Sequence, residues 1–418
     1  MTQEKQNTMK IEKVEIAIVG GGLGGLTMAA VLDAYGIKAH CIDRDIPTDQ
    51  ATETFDGRTT AISAGSRRLY DAIGLWDEIS DQACPIEQIR VADGDSPKFL
   101  HFDSIETGMG DFGWIIENYR LRRALINRVE ASENITYLTG TTVSKLSRPQ
   151  ADGITLQLST GEALHADLVI AADGVQSACR QWADIKTRDW SYDQTAIVCT
   201  VGHELDHENI AVEHFLPAGP FAILPMTDDE NGQHRSSLVW TEHGGDSDQI
   251  LGLSDDEFNE MLNIKFEGQL GAVKAVTKPQ SFSLNLCHAK SYVVPNMALV
   301  AEAAHRIHPI AGQGLNLSLR DIACLAEVLT EARDLGLAKG SLSVLERYEN
   351  WRRRDNLTMA VVTDGLNRLF SNDLAPVRAL RTTGLGIINK IPPAKRFFEK
   401  QAMGLSGKLP KLIKTGRL

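Results

Sequence analysis

The sequence predicts an α/β fold built on a parallel sheet, because three mostly apolar runs each end in a glycine-containing turn. Residues 14–35 show the pattern of a strand, a glycine cluster and a helix. Residues 166–174 show a strand that ends in Asp-Gly, and residues 297–316 a strand followed by a turn with one proline and two glycines. In such sheets, ligands bind at the carboxyl ends of the strands. The three turns are therefore expected at one edge of the sheet.

The first turn carries the pattern G-x-G-x-x-G at Gly20, Gly22 and Gly25. In a Rossmann-like domain the first glycine permits the tight turn, the second lets a pyrophosphate approach the backbone, and the third lets the helix pack on the strand. A second strand, residues 38–42, ends at Asp43, where a ribose-binding carboxylate is expected. We therefore predict an adenine-containing dinucleotide with a free ribose 2′-OH, while the motif leaves FAD and NAD open.

The other two turns add to this interpretation. Asp173 and Gly174 place a carboxylate and a flexible residue at a strand end, although this segment alone favours a plain Asp-Gly turn. In the third turn, Pro309 blocks a helix, and Gly312 and Gly314 let a flat ligand lie against the backbone. The positive end of the helix predicted to follow would stabilise a reduced flavin.

Residues 182–288 are predicted to form a mixed β-sheet, because short alternating runs occur at 195–201, 210–216 and 237–241. The predicted division of the chain is 1–181 and 289–340 for the two parts of the dinucleotide-binding domain, 182–288 for an inserted substrate domain, and 341–418 for C-terminal helices.

Composition excludes some classes of function. A net charge of -12 argues against a nucleic-acid partner. No apolar run reaches the roughly 18 residues that span a bilayer, and residues 1–13 lack the features of a signal peptide. A cytoplasmic protein is therefore expected. His305 and His308 lack a third ligand, so no metal is expected and structural or hydrogen-bonding roles are predicted.

The C-terminal region is basic, in contrast to the rest of the chain. Apolar residues alternate there with one acid, Glu399, and with the cations Lys390, Lys395, Arg396, Lys400, Lys408, Lys411, Lys414 and Arg417. This pattern suits peripheral contact with an anionic membrane, on its inner face. A solvated basic tail is an equal alternative.

The three turns, in this order, resemble those of the FAD-dependent aromatic-ring hydroxylases with the para-hydroxybenzoate hydroxylase fold. Further segments resemble the ubiquinone-biosynthesis branch of that family, and the resemblance spans about residues 14–404. These segments are residues 56–63, 113–125, 219–225, 308–316 and 363–370.

The resemblance implies a set of cofactor contacts. They are Gly20, Gly22 and Gly25 at the pyrophosphate, Asp43 at the adenosine ribose, Arg58 near the flavin, Asn118 at the phosphate or ribityl region, Asp173 and Gly174 from the second strand, and Pro309, Gly312, Gly314, Leu315 and Asn316 along the isoalloxazine. Arg58 could instead be a surface salt-bridge partner, and Asn118 a helix cap. Candidates for facing the flavin from the substrate domain are Phe215, Phe221, Leu224 and Pro225.

One pair of residues departs from the family. Where the family has Gly-Asp before Ala-Ala-His, this chain has Ala301-Glu302. The family's aspartate hydrogen-bonds the ribityl chain; glutamate is one methylene longer, and Ala301 adds a methyl group. Either Glu302 makes the same contact with a shifted backbone, or the protein binds flavin weakly.

The resemblance implies a FAD-dependent monooxygenase that hydroxylates a polyprenylated phenol on the way to ubiquinone. In that family, reduced FAD reacts with molecular oxygen to give a C4a-hydroperoxide, which the ring attacks. NADH, NADPH or a redox protein would donate the electrons. The alternatives are a flavin-poor accessory subunit that binds other ubiquinone-biosynthesis proteins or lipid, and a hydroxylase of a soluble aromatic acid. No motif indicates a general base.

Overall fold

The computed structural model describes residues 11–47, 57–94, 96, 99–147, 152–370 and 391–418. Asp56 and Lys390, which the sequence analysis included in its segments, lie outside these residues. The strands are β1 (Ile11–Val19), β2 (Ala39–Ile42), β3 (Thr59–Ser63), β4 (Cys84–Ile86), β5 (Gln88–Asp93), β6 (Phe99–Asp103), β7 (Gly113–Glu117), β8 (Ile135–Leu138), β9 (Val143–Leu146), β10 (Ile154–Leu158), β11 (Ala163–Ala171), β12 (Thr187–His203), β13 (Ile210–Leu216), β14 (Gly219–Met226), β15 (His234–His243), β16 (Val273–Ala275), β17 (Gln280–Ala289), β18 (Val293–Val294), β19 (Met297–Leu299) and β20 (His305–Arg306).

Helices connect and cover these strands. They are α1 (Leu23–Ala34), α2 (Ala64–Ala72), α3 (Trp76–Ile79), α4 (Ser104–Thr107), α5 (Asn118–Glu130), α6 (Ala178–Trp182), α7 (Gly244–Leu251), α8 (Asp255–Phe266), α9 (Gln313–Asp334), α10 (Leu342–Phe370), α11 (Pro392–Ala402) and α12 (Lys411–Thr415). Short 3-10 turns occur at Ser80–Gln82, Ala301–Ala303 and Ile310–Gly312.

A sheet of eight strands carries the three predicted turns. Its parallel part has the order β19-β11-β1-β2-β8, and β18, β10 and β9 add to it in antiparallel fashion. Val19 is level with Ile42 on one side and Ala171 on the other, and Ala171 is level with Leu299. The four predicted strands therefore end in one row, and the residues that follow them meet at one edge, as the sequence predicted.

Apolar residues on both sides of this sheet form the main core. Strand β1 is buried from Ile16 to Val19, and α1 buries most of its length, from Gly25 to Leu32. Helix α1 packs against α5 and α9. This packing fixes the N-terminus of α1 directly after the first glycine turn.

A second sheet of nine strands has the order β20-β17-β12-β15-β14-β13-β5-β6, with β16 added to β12. It is mixed, since β13 and β5 pair in parallel while the other neighbours are antiparallel. The predicted mixed sheet is confirmed. It is also wider than residues 182–288, because β5, β6 and β20 join it from outside that range. Such non-local pairings leave no signal in the local sequence.

The described part of the C-terminal region folds back onto the protein. Met403, Leu412 and Ile413 are buried, and α12 contacts α2. The apolar residues here are thus docked on the protein, while the cations Lys408, Lys411, Lys414 and Arg417 remain exposed, as both alternatives for this region require. A small third sheet, with the strand order β3-β7-β4, contributes β3 to the site described below.

Candidate cofactor and substrate site

A cavity of about 1570 Å³ runs from the three turns to one face of the mixed sheet. At one end it is lined by the glycine turn and by Asp43, and at the other by β5, β6, β13 and β14. Pockets for a single drug-sized ligand usually measure about 300–1,000 Å³. This cavity therefore has room for a dinucleotide and a second molecule beside it.

In the first turn, Gly20 and Gly25 are needed for close packing of the backbone, whereas Gly22 leaves room for a ligand. Gly20 has a φ of +108°, and a β-carbon on it would lie 2.5 Å from the carbonyl oxygen of Ala172. A β-carbon on Gly25 would lie 1.8 Å from the carbonyl oxygen of Gly20, so Gly25 serves the packing of α1 and does not line the cavity. Gly22 lines the cavity with open space beside it. The backbone at Gly22 is thus accessible to a phosphate.

Asp43 is buried at the end of β2 and lines the cavity. Its Oδ2 accepts hydrogen bonds from the Tyr137 hydroxyl at 3.1 Å and from Arg122 at 3.4 Å. A β-carbon on Gly21 would lie only 2.2 Å from the same oxygen. Gly21 is therefore needed for Asp43 to reach the turn, a role that the sequence analysis missed although three consecutive glycines were visible.

Arg58 and Asn118 both line the cavity. The backbone N–H of Asn118 donates to the Arg58 carbonyl at 3.0 Å, and the Asn118 side chain accepts a hydrogen bond from the Thr60 hydroxyl. Glu117 occupies the N-cap position of α5, so Asn118 is not the helix cap. The Asn118 side chain instead connects α5 to β3 at the cavity wall.

The second turn also reaches the cavity through both of its predicted residues. Asp173 accepts hydrogen bonds from the Ser177 hydroxyl at 2.5 Å and the Cys179 N–H at 3.0 Å, which order the start of α6. Gly174 has a φ of +80° and open space beside it. The carboxylate thus organises the turn, and the glycine leaves it open to a ligand.

The departure at Ala301-Glu302 has two separate consequences. Ala301 adopts a φ of +55°, a left-handed conformation that glycine tolerates far better than alanine. Glu302 is exposed and lines the cavity, and its carboxylate makes no hydrogen bond to another described residue. The carboxylate is therefore available to a ligand, while the local strain falls on Ala301.

Asn316 holds the third turn in place. Its Oδ1 accepts a hydrogen bond from the Ser63 N–H at 2.9 Å, and its Nδ2 donates to the carbonyls of Ala61 at 2.8 Å and Gly312 at 3.0 Å. The loop is thereby joined to β3. Gly314 has open space beside it, and the turn leads into α9, which spans 22 residues and begins at the cavity. Pro309 and Leu315 also line the cavity.

The four candidates from the substrate domain separate into two pairs. Phe215 and Leu224 line the cavity. Phe221 and Pro225 do not, and the Phe221 ring packs against Trp240 on the other side of the sheet, with ring centroids 5.9 Å apart. The reason is the alternation of side chains along β14, which sends odd and even positions to opposite faces.

Glu213 lines the cavity and was missed by the sequence analysis. Along β13 it shares a face with Ala211 and Phe215, and it is level with Val91 of β5 and Ala222 of β14, which also line the cavity. Burial raises the pKa of Glu213 to about 7. The signal was present in the sequence, since Glu213 lies two residues before Phe215 in an alternating strand.

A buried polar network supports the third turn from behind. Asp321 of α9 accepts hydrogen bonds from Arg352 at 2.7 Å and Asn356 at 2.9 Å, and it pairs with His305. Burial alone would raise the pKa of Asp321, but the charges of His305 and Arg352 hold it at about 2. A structural or hydrogen-bonding role was predicted for His305, and the structure shows the hydrogen-bonding one.

His308 is completely buried, and neither ring nitrogen has a hydrogen-bond partner among the described residues. Its ring lies edge-on to that of Tyr192, with centroids 5.0 Å apart. Burial lowers the pKa of His308 to about 4. His308 is therefore neutral at neutral pH and has the structural role, which is one of the two roles predicted for this pair of histidines.

The arrangement fits FAD. Open glycine backbone at Gly22, Gly174 and Gly314, the Asp43 carboxylate, and the N-termini of α1 and α9 all meet in one cavity. Helix N-termini and free backbone N–H groups bind phosphates and stabilise negative charge on a flavin.

Comparison with known proteins agrees with this geometry. Residues 13–363 match the family described as FAD binding domain. The ubiquinone hydroxylase UbiL of Rhodospirillum rubrum is 45% identical over 93% of this chain and 89% of its own length. The 3-demethoxyubiquinol 3-hydroxylase of Escherichia coli is 35% identical over 95% of this chain and 100% of its own length.

Among solved structures, the p-nitrophenol 4-monooxygenase PnpA of Pseudomonas putida superposes with a TM-score of 0.78. The two proteins share 18% identity, and the match covers 95% of this chain and 99% of that one. This likeness shows the fold, and the sequence relatives show the branch. The chain therefore belongs to the FAD-dependent hydroxylases of ubiquinone biosynthesis, within the monooxygenases of the para-hydroxybenzoate hydroxylase fold.

Proposed function

We propose that this FAD-dependent monooxygenase hydroxylates the aromatic ring of a polyprenylated phenol in ubiquinone biosynthesis. The observation that carries the proposal is the continuity of the cavity. The same space that receives the dinucleotide at Gly22 and Asp43 continues to an apolar face with Phe215 and Leu224. An aromatic ring held there would lie beside the flavin end of the cofactor.

When bound, FAD supplies the reduction of molecular oxygen that inserts one oxygen atom into the ring, with electrons from NADH, NADPH or a redox protein. The chain's own contribution is to hold and shield the reactants. The N-terminus of α9 would stabilise negative charge at the flavin. Apolar residues of β5, β6 and β13 would orient the ring and exclude water.

The cavity opens at a surface suited to a lipid-bound substrate. Val362, Leu369 and Phe397 line the cavity and are also 42%, 37% and 56% exposed. Arg396 and Lys400 are exposed beside Phe397 on α11. Apolar side chains flanked by cations suit the surface of an anionic membrane, where each cation contributes about 1 kcal/mol. We therefore place the substrate's polyprenyl tail at this opening. In the described part of the chain, no helix is long and apolar enough to cross a bilayer.

Product analysis tests the activity. The FAD-loaded protein would be incubated with NADH or NADPH, isotopically labelled O2, and either a prenylated phenol or a short soluble phenol. The proposal expects one labelled oxygen atom in the prenylated product. Turnover of only the soluble phenol would replace the lipid substrate with a soluble aromatic one, and failure to retain added FAD together with no turnover of either phenol would favour the flavin-poor accessory subunit.

Vesicle co-sedimentation tests the membrane contact. Truncation would remove buried Met403, Leu412 and Ile413, so point substitutions are needed. Arg396→Gln combined with Lys400→Gln should weaken binding to vesicles that contain phosphatidylglycerol by about tenfold or more. The matched control is Lys274→Gln with Lys278→Gln, two exposed lysines that do not line the cavity. Equal binding by both double variants would remove α11 from the membrane contact.

A further inference from the structure

Glu213 places a carboxyl group on the cavity face of the mixed sheet, and the other cavity-lining residues of the strands around it are uncharged. Across the sheet, Val91, Glu213, Ala222 and Val239 stand level with one another on neighbouring strands, and all four line the cavity. The cavity-lining residues of β6 and β15 add apolar or hydroxyl side chains, and those of α10 and α11 are also uncharged. Glu213 is thus the one ionisable residue that the described strands β5, β6, β13, β14 and β15 present to the cavity.

No structural task within the described residues accounts for this carboxyl group. Glu213 forms no hydrogen bond or ion pair there. The other charged or titratable residues that line the cavity lie outside these five strands, and they include Asp43, Arg44, Asp45, Arg58, Arg122, Asp173, Glu302, His305 and Arg306. Burial is the sole cause that raises the pKa of Glu213 to about 7. A carboxyl group without a partner is unfavourable inside a protein, and one that faces a cleft with such a pKa is characteristic of a functional site.

We propose that Glu213 is the general base that takes the proton from the hydroxyl group of the substrate phenol. This inference rests on the proposed function and adds a catalytic residue to it. The O–H bond of the phenol breaks, the proton passes to a carboxylate oxygen of Glu213, and the electron pair stays on the phenol oxygen. The ring becomes richer in electrons and so a better nucleophile toward the oxygen atom it receives. Glu213 afterwards releases the proton to solvent.

The acid–base properties match this task. A phenol in water has a pKa of about 10, so only a small fraction is ionised at neutral pH. General bases work best with a pKa near the working pH and contribute about 10²- to 10⁴-fold in rate. With a pKa of about 7, the carboxyl group of Glu213 is ionised in about half of the protein molecules at pH 7, so Glu213 meets that condition.

The pH dependence of kcat with the FAD-loaded enzyme tests the proposal. For the wild type, kcat with a prenylated phenol should rise with pH through about 7. Glu213→Gln should lower kcat at pH 7 by about 100-fold or more, change KM less, and move the rise toward the pKa of the phenol itself. Glu213→Asp should recover part of the rate. Glu260→Gln, an exposed glutamate of α8 that does not line the cavity, is the matched control and should behave as the wild type.

A change of substrate separates catalysis from a structural effect. A prenylated aniline is rich in electrons without losing a proton, so Glu213→Gln should slow its hydroxylation only a few-fold. An equal loss with phenol and aniline, or a Gln variant with the wild-type rate and pH profile, would overturn the role of Glu213 while leaving the hydroxylase intact. Failure of the wild type to hydroxylate the phenol at all would overturn the proposed function together with this inference.

Discussion

The β-carbon of Ala301 lies 3.0 Å from the position that a β-carbon on Gly24 would occupy. Gly24 is in the first turn of α1, and Ala301 follows the end of β19. The two small residues thus let the first and third turns approach each other beside the cofactor site. The methyl group of Ala301 is accommodated there, at the cost of a left-handed backbone conformation with a φ of +55°.

Ala301→Gly should stabilise the protein. A left-handed conformation costs an alanine about 1–2 kcal/mol, which exceeds the entropy that a glycine adds to the unfolded chain. We expect the free energy of unfolding to rise by about 1 kcal/mol in urea denaturation. Ala303→Gly, at a buried position without a positive φ, is the control and should lower it. A loss of stability in both variants would mean that the conformation of Ala301 is not strained.

Glu302→Ala should weaken FAD binding. We propose that the free carboxylate of Glu302 takes the place of the family's aspartate at the ribityl chain, and hydrogen bonds to a charged group contribute about 1.5–3 kcal/mol. The expected rise in Kd is about 10- to 100-fold, measured by fluorescence titration of the apoprotein with FAD. Glu302→Asp should change Kd by less than about tenfold. Unchanged affinity in Glu302→Ala would remove this residue from the cofactor site.

Asp321→Asn should destabilise the fold strongly. It leaves Arg352 and His305 buried without their carboxylate, and breaking a buried ion pair costs about 3–5 kcal/mol. Because the pKa of Asp321 is about 2 in the folded protein and about 4 when unfolded, its contribution is present above pH 4 and is lost as the pH falls toward 2. The difference between wild type and variant in urea denaturation should therefore be largest near neutral pH and shrink in acid. Asp248→Asn, at an exposed position of α7, should show little difference at any pH.

Local sequence was enough to predict the cofactor edge, because each turn there is formed by consecutive residues. Gly20, Gly22 and Asp43 could be located from spacing alone, and the row of strand ends brought them together. The substrate face was harder to predict. Whether Phe215 or Phe221 faces the cavity depends on which side of the mixed sheet is covered by α8. Strand β5 joins that sheet by pairing with β13, and the paired residues Val91 and Glu213 are 122 residues apart in sequence. The positions of α8 and β5 therefore determine which phenylalanine faces the cavity, and the sequences of β13 and β14 contain no information about those positions.

The stability of Glu213→Gln provides a test of this carboxyl group that needs neither substrate nor turnover. The pKa of Glu213 is about 7 in the folded protein and about 4.3 in the unfolded chain, so between these values the folded state binds more protons. The free energy of unfolding of the wild type should therefore fall as the pH rises from about 4 to 7 and stay lowered above 7. Glutamine carries no charge, so the variant should be more stable than the wild type at pH 8 by about 1–3 kcal/mol, allowing for water in the cavity, and this advantage should vanish near pH 4. Glu260→Gln should follow the wild-type curve. Parallel curves for the wild type and Glu213→Gln would show that Glu213 titrates like an ordinary surface glutamate and is not poised to accept a proton at neutral pH.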